Sequence, residues 1–171
     1  MERIMVLGCC GAGKSTFSKK LHEKTGLELI HLDQYYWKPN WIETETKEWE
    51  SIVNDLAAKS NWIIDGNYGG TMDVRIERAD TIIFLNYSTA TCLYRVCSRI
   101  IKNYGRTRSD MTDGCPERFD YQFLHYVATF NIVRRKGILA KMGHVAKEKN
   151  CIVLRNDKEA DAFLGAIHNS R

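Results

Sequence analysis

Arg3 to Leu7 (RIMVL) is a short apolar run that halts at Gly8, the pattern of a fully buried parallel strand followed by a turn. Residues 27–32 (LELIHL), 62–64 (WII), 81–85 (TIIFL) and 151–154 (CIVL) read the same way, so five strands are expected. Between them the period changes to that of a helix. Phe17 and Leu21 stand four apart among lysines and serines, predicting a short amphipathic helix over 14–24 that Gly26 stops. Trp49, Ile52, Val53 and Leu56 fall at i, i+3, i+4 and i+7, one helix face. Leu93, Val96, Cys97, Ile100, Ile101 and Tyr104 form the apolar stripe of a further helix, which Gly105 ends. The polar stretch from Arg106 to Pro116 has no period and reads as a surface loop or lid. A long helical region follows, with a break expected near Gly137, and Asp157 caps a last helix. Strands alternating with helices imply a parallel sheet covered on both faces.

No repeat or linker interrupts the 171 residues, which suit one domain spanning 1–171. With 44% hydrophobic and 27% charged residues and two prolines, the chain is expected to fold compactly rather than stay disordered. Its net charge of +4 is unevenly placed: Arg95 to Lys141 holds ten basic and four acidic residues, leaving the remainder slightly acidic. Such a stretch suits an anionic partner. No apolar run is long enough to span a membrane, and Ile4 to Leu7 is too short for a secretory signal. The six cysteines show no C-x-x-C spacing, so a zinc site is not expected and reduced thiols in a cytoplasmic protein are.

One segment carries specific chemistry. Gly8, Cys9, Cys10, Gly11, Ala12, Gly13, Lys14 and Ser15 fit G-x-x-x-x-G-K-[ST] between an expected strand and an expected helix. The glycines let backbone N–H groups turn inward, and the helix N-terminus favours phosphate oxygens there. Gly8, Gly11, Ala12, Gly13, Lys14, Ser15 and Thr16 are therefore expected to hold a nucleoside triphosphate such as ATP, with Lys14 on the β- and γ-phosphates and Ser15 on Mg²⁺.

Ligands of open α/β sheets lie beyond the carboxyl ends of the strands, where Asp33 and Asp65 are expected. Asp65 suits a Mg²⁺ site or a turn cap before Gly66; Asp33 suits a base for an acceptor hydroxyl or a cap of the turn that follows. Tyr36 and Trp37, within an aromatic run that reaches Trp41, either line an acceptor pocket or pack their own loop. Asn67, Tyr68 and Arg75 follow Asp65 closely enough to face that pocket, and Arg75 is the natural partner of an anionic acceptor unless it sits on a solvated helix face. Arg95 and Arg99 share a helix face, Arg106 and Arg108 lie in the loop beyond, and Arg134 and Arg135 come after it. Arginines closing over a transferring phosphoryl group offset its charge and exclude water, and Arg99 and Arg106 are the catalytic candidates.

In order and spacing, nearly the whole chain resembles the adenylate-kinase-like family of small P-loop kinases. WIIDGNY looks like that family's strand ending in Asp-Gly, and the run from Ala79 and Asp80 through TIIFL to Arg99 looks like its approach to the lid. The resemblance implies a three-layer P-loop fold with a five-stranded parallel sheet in the order 2-3-1-4-5, a lid near 105–118, Asp65 at the Mg²⁺ site, Arg95 on the adenine and Arg99 on the phosphates. HLDQYYWKPNW, DGNYGGTMDVRIERAD and GRTRSDMTDGCPERFD resemble bacterial proteins called DNA topology modulation proteins. Gly69 and Gly70 stand where adenylate kinases carry a Pro-Arg pair for the acceptor nucleotide, and the lid holds only Cys115, too few for a lid zinc.

A Mg²⁺-dependent kinase for a small acceptor, such as a nucleoside or nucleotide, is the function these residues favour. The alternative is a regulatory ATPase acting on DNA topology or expression, for which no helix-turn-helix, zinc finger or basic zipper pattern is present. A GTPase is disfavoured because no N-K-x-D sequence occurs. Nothing in the sequence fixes an oligomeric state.

Overall fold

The computed structural model describes residues 1–167. Its strands are β1 (Arg3–Gly8), β2 (Leu29–His31), β3 (Trp37–Lys38), β4 (Ile42–Glu43), β5 (Trp62–Asp65), β6 (Thr81–Leu85) and β7 (Asn150–Leu154). Five of them build one parallel sheet in the order β2-β5-β1-β6-β7. Setting aside β3 and β4, an antiparallel pair that periodicity did not foresee, the succession is the expected 2-3-1-4-5. Every residue of β5 and β6 is buried, which explains why they are apolar without alternation.

The helices are α1 (Lys14–Thr25), α2 (Asp33–Tyr36), α3 (Thr46–Ala58), α4 (Met72–Arg78), α5 (Thr89–Asn103), α6 (Tyr121–Val133), α7 (Arg135–Val145) and α8 (Asp157–Ala166). Gly26 ends α1 in the left-handed conformation, as expected of a glycine there. Trp49, Val53 and Leu56 are the buried face of α3. Phe17 of α1 stacks on Phe163 of α8, ring centroids 6.1 Å apart.

Three local expectations need correction. The break in the late helical region is at Arg134, not Gly137, which lies inside α7; Arg134 N–H still bonds Phe130 O, so the chain bends without a glycine. Asn156, not Asp157, caps α8: its side chain accepts from Glu159 N–H, and Asp157 starts the helix. The buried stripe of α5 is Cys92, Val96 and Ile100. Cys97 is exposed, Ile101 is 79% exposed and Tyr104 67%, because the adjoining face must carry Arg95 and Arg99 toward the ligand side and the helix has only one stripe left for the core.

Candidate active site

A cavity of about 1410 Å³ opens over the carboxyl ends of the strands. Its floor is the loop between β1 and α1. Gly11 is forced there by close approach: a Cβ would sit 2.4 Å from Cys92 O, so the loop lies directly on the first turn of α5. Gly13 enters α1 at φ 91° with no side-chain cap, leaving the N–H groups of the first turn for an anion. Lys14 Nζ rests 3.4 Å from Cys9 O. Burial alone would lower the Lys14 pKa, but Cys10, Asp65, Asp33 and Tyr126 outweigh it and the net shift is upward. Cys10, Gly11, Gly13, Lys14, Ser15 and Thr16 line the cavity, whereas Gly8, Cys9 and Ala12 are buried beneath it. The six cysteines are all unpaired.

Asp65 ends β5 and is 5% exposed. The parallel register sets His31 beside Asp65, so the two side chains leave the sheet together and His31 Nδ1 lies 2.9 Å from Asp65 Oδ2. Burial lowers the pKa of His31, but the Asp65 carboxylate outweighs it and the imidazole is shifted upward. Asp65 Oδ1 is buried without a hydrogen-bond partner. A hard, oxygen-bound cation such as Mg²⁺ fits the chemistry of that orphaned oxygen and of the Ser15 hydroxyl, which lines the same cavity. Asp110, a residue of the lid, lines the same cavity as Ser15. Burial raises the Asp110 carboxyl, but the charge of Arg108, with Ser15 beside it, outweighs burial and the net shift is downward.

Asp33, the first residue of α2, accepts from the Tyr68 hydroxyl at 2.5 Å. Burial pushes its pKa up, against the pull of Tyr68 and Lys14. Tyr68 reaches it from an unusual backbone: φ is 35°, in the left-handed region that a bulky residue enters only when its surroundings insist. Arg75 supplies the constraint. Expected to meet an anionic acceptor, it is instead completely buried and outside the cavity lining. Its Nε donates to Thr71 O at 3.2 Å, Nη1 to Gly66 O at 2.8 Å, and Nη2 to Asn67 O and Tyr68 O at 2.5 and 2.8 Å. No carboxylate pairs with it among the described residues, and burial lowers its pKa to about 9. The expected acceptor contact is thus replaced by a structural one: four carbonyls, which no other side chain fits as well as the guanidinium fork. Asn67 lines the cavity, but both ends of its amide hold Gly8: Gly8 N–H donates to Oδ1 at 3.1 Å and Nδ2 to Gly8 O at 2.8 Å.

The lid runs from Tyr104 to Asp120 and is closed at its base by paired backbone hydrogen bonds, Gly105 N–H to Glu117 O and Glu117 N–H to Arg106 O. That pairing keeps Arg106 exposed and away from the cavity, so it does not join the candidate catalytic cations. Arg108 lines the cavity instead, its Nη1 2.8 Å from Asp110. Arg99 also faces the cavity, over the Phe123 ring. Arg95 faces it as well, bound to Asp157 at 2.5 Å and stacked on Tyr87. The lid then lies on the α2 to β4 segment. Gln34 donates to Ser109 O, Thr112 to Gln34 O, Asn40 N–H to Gly114 O, and Trp41 Nε1 to Pro116 O. Together they roof the cavity.

The aromatic run packs its own loop and also borders the cavity. Tyr36, Trp37 and Trp41 line the cavity, and Tyr36 also packs edge-on to Trp37 and Trp49 with ring centroids 5.0 Å apart. His31, Asp110 and Glu117 are not visible as site residues in the sequence, and Arg108 is visible only as one of the lid arginines. Register put His31 there, and ion pairs across an aperiodic loop put the others there, so only the arginine-rich character of the lid announced them.

Neither a family model nor a curated protein matches the chain. Solved structures do. Shikimate kinase from Acinetobacter baumannii, in complex with shikimate, superposes over 98% of this chain and 90% of its own with a TM-score of 0.60 and 17% identity. A gluconokinase from Sinorhizobium meliloti 1021 covers 96% and 91%, with TM-score 0.53 and 17% identity. A sugar kinase from a Janibacter species covers 99% and 96%, with TM-score 0.51 and 16% identity. The chain therefore has the fold of the small-molecule P-loop kinases. Nothing among these matches supports the name of the DNA topology modulation proteins.

Proposed function

We propose that this protein is a Mg²⁺-dependent phosphotransferase that moves the γ-phosphoryl group of ATP to a hydroxyl of a small acceptor. One observation carries the reading: Lys14, Ser15, Asp65, Asp33, Arg99 and Arg108 converge on a single roofed cavity at the phosphate loop. A site that only held nucleotide has no use for a second carboxylate, Asp33, besides Asp65. With one oxygen taken by Tyr68, the other oxygen of Asp33 accepts the proton of an acceptor hydroxyl, and the upward shift of its pKa favours that transfer. Lys14 and the arginines offset charge on the transferring group, and the roof keeps water from competing as acceptor. Ser15 and Asp65 are the residues that would hold Mg²⁺, which supplies charge neutralisation at the phosphates. Asn67 fixes the start of the phosphate loop and Arg75 fixes the loop that presents Tyr68. Arg95, which faces the cavity, would flank the nucleotide base.

The acceptor end is lined by Tyr36, Trp37, Trp41 and Met72, surfaces for a flat or partly apolar molecule such as a nucleoside, and the likeness to shikimate kinase, gluconokinase and sugar kinase extends the set to hydroxy acids and sugars. Unpaired cysteines suit a reducing, cytoplasmic setting, and no helix among the described residues is long and apolar enough to cross a membrane. The test is ADP production from Mg-ATP against nucleosides, nucleotides, hydroxy acids, sugars and polyols, with Lys14→Ala as control. An acceptor should raise turnover above the water background, and the control should lose at least about a hundredfold of it. Turnover that survives Lys14→Ala would overturn the assignment.

A further inference from the structure

Glu117 is the buried carboxylate that the proposed chemistry leaves without a task. It is 6% exposed, and its Oε1 lies 2.9 Å from Arg99 Nε and 2.7 Å from Arg108 Nε. One arginine comes from α5 and the other from the lid, so the carboxylate joins a fixed element to the loop that covers the site. Neither Nε–H points along its line to the oxygen, so these are ion pairs rather than aligned hydrogen bonds. Glu117 cannot drift toward either side, because its own N–H and C=O are bonded to Arg106 and Gly105 at the lid base.

Two guanidinium groups this close repel each other. Burial and then the charge of Arg108 lower the pKa of Arg99, and Glu117 acts against them. Both arginines are approached by Glu117 at Nε, the inner edge of the fork, which leaves the Nη edge of Arg99 and Nη2 of Arg108 for a ligand. Among the described residues no hydrogen bond engages the Nη groups of Arg99, whose guanidinium is backed by Phe123. Arg108 Nη1 is held by Asp110 at 2.8 Å.

On the phosphoryl-transfer reading above, we infer that Glu117 is a positioning residue: it binds Arg99 and Arg108 back to back at Nε and aims their remaining Nη donors at the transferring phosphoryl group, where charge builds up. Its contribution belongs to the transition state rather than to the bound nucleotide. Without the carboxylate the two cations part, and the lid arginine no longer shares a target with the helix arginine.

The experiment needs no acceptor. Binding of Mg-ADP and of Mg-ADP with aluminium fluoride, a planar phosphoryl mimic, is measured by calorimetry for the full chain and for Glu117→Gln, with thermal melting alongside. Glu117→Gln should weaken the fluoride complex at least about tenfold and move ADP alone less than about twofold. Equal weakening of both ligands, or of neither, overturns the positioning role. If Glu117→Gln does not fold, Arg108→Gln, which leaves Glu117 paired with Arg99, must show the same selective loss, and an unchanged fluoride complex in that variant overturns the inference. A wild-type protein that binds ADP but gains nothing from aluminium fluoride overturns the phosphoryl-transfer reading itself, and the role of Glu117 with it.

Discussion

Two arrangements of arginine, one fully buried and one half-buried, solve the same electrostatic problem differently. Arg75 has no carboxylate within reach and is satisfied by four backbone carbonyls of residues 66 to 71. Arg99 and Arg108 share the Glu117 carboxylate, Arg108 pairs with Asp110 as well, and each keeps Nη donors for something else. The carbonyl solution fixes a backbone and exhausts the guanidinium; the carboxylate solution fixes a position and leaves donors unspent. An arginine close in sequence to a phosphate site is thus no guide to its task until its acceptors are known.

The sharpest way to break this contrast is to remove Arg75. Arg75→Met removes the guanidinium donors from four carbonyls, of which Tyr68 O still accepts from Thr71, and should cost about 3 to 5 kcal/mol of stability, read by chemical denaturation. A loss under about 1 kcal/mol would mean that the carbonyls find water and that the loop holds itself. Arg99→Ala should behave in the opposite way. Its melting temperature should stay close to wild type while turnover with the best acceptor falls by about a hundredfold. Tyr68→Phe lies between the two, since the backbone set by Arg75 delivers its hydroxyl to Asp33. That hydroxyl holds the Asp33 pKa down against burial, so its removal should shift the acid limb of the rate profile to higher pH and lower turnover at neutral pH several-fold, about three to ten. A limb that stays put would separate Tyr68 from the base. The smallest effect is expected from Arg106→Ala, which should change stability by less than about 0.5 kcal/mol and turnover by less than about twofold.

The sheet was legible because each strand is a buried apolar run with a turn after it, and β6 matches the run TIIFL residue for residue. The phosphate loop was legible because its glycines are forced by contacts as close as that of Gly11 with α5. What could not be read depends on distant partners. His31 meets Asp65 only through the register of β2 on β5, thirty-four residues away. Arg75 and Asn67 looked like ligand-binding residues, because their spacing from Asp65 is the same whether they turn toward the cavity or toward the backbone. Ile101 and Tyr104 looked like core, because an apolar stripe does not say which of its edges the sheet will cover. In the lid, with no period to follow, the choice between Arg106 and Arg108 was set by a backbone pairing at Glu117.

The roof has a consequence for hydrogen exchange. Its lid and hairpin are joined mainly by single hydrogen bonds between residues about seventy-five positions apart, with Met111 and Cys115 as the buried hydrophobic anchors of the lid. So little buried apolar surface gives this region an opening free energy far below that of the sheet. Amides of Asn40, Met111 and Cys115 should therefore exchange together, through a shared local opening, while those of β1, β5 and β6 wait for global unfolding. The molecule can uncover its cavity many times over without ever losing its fold.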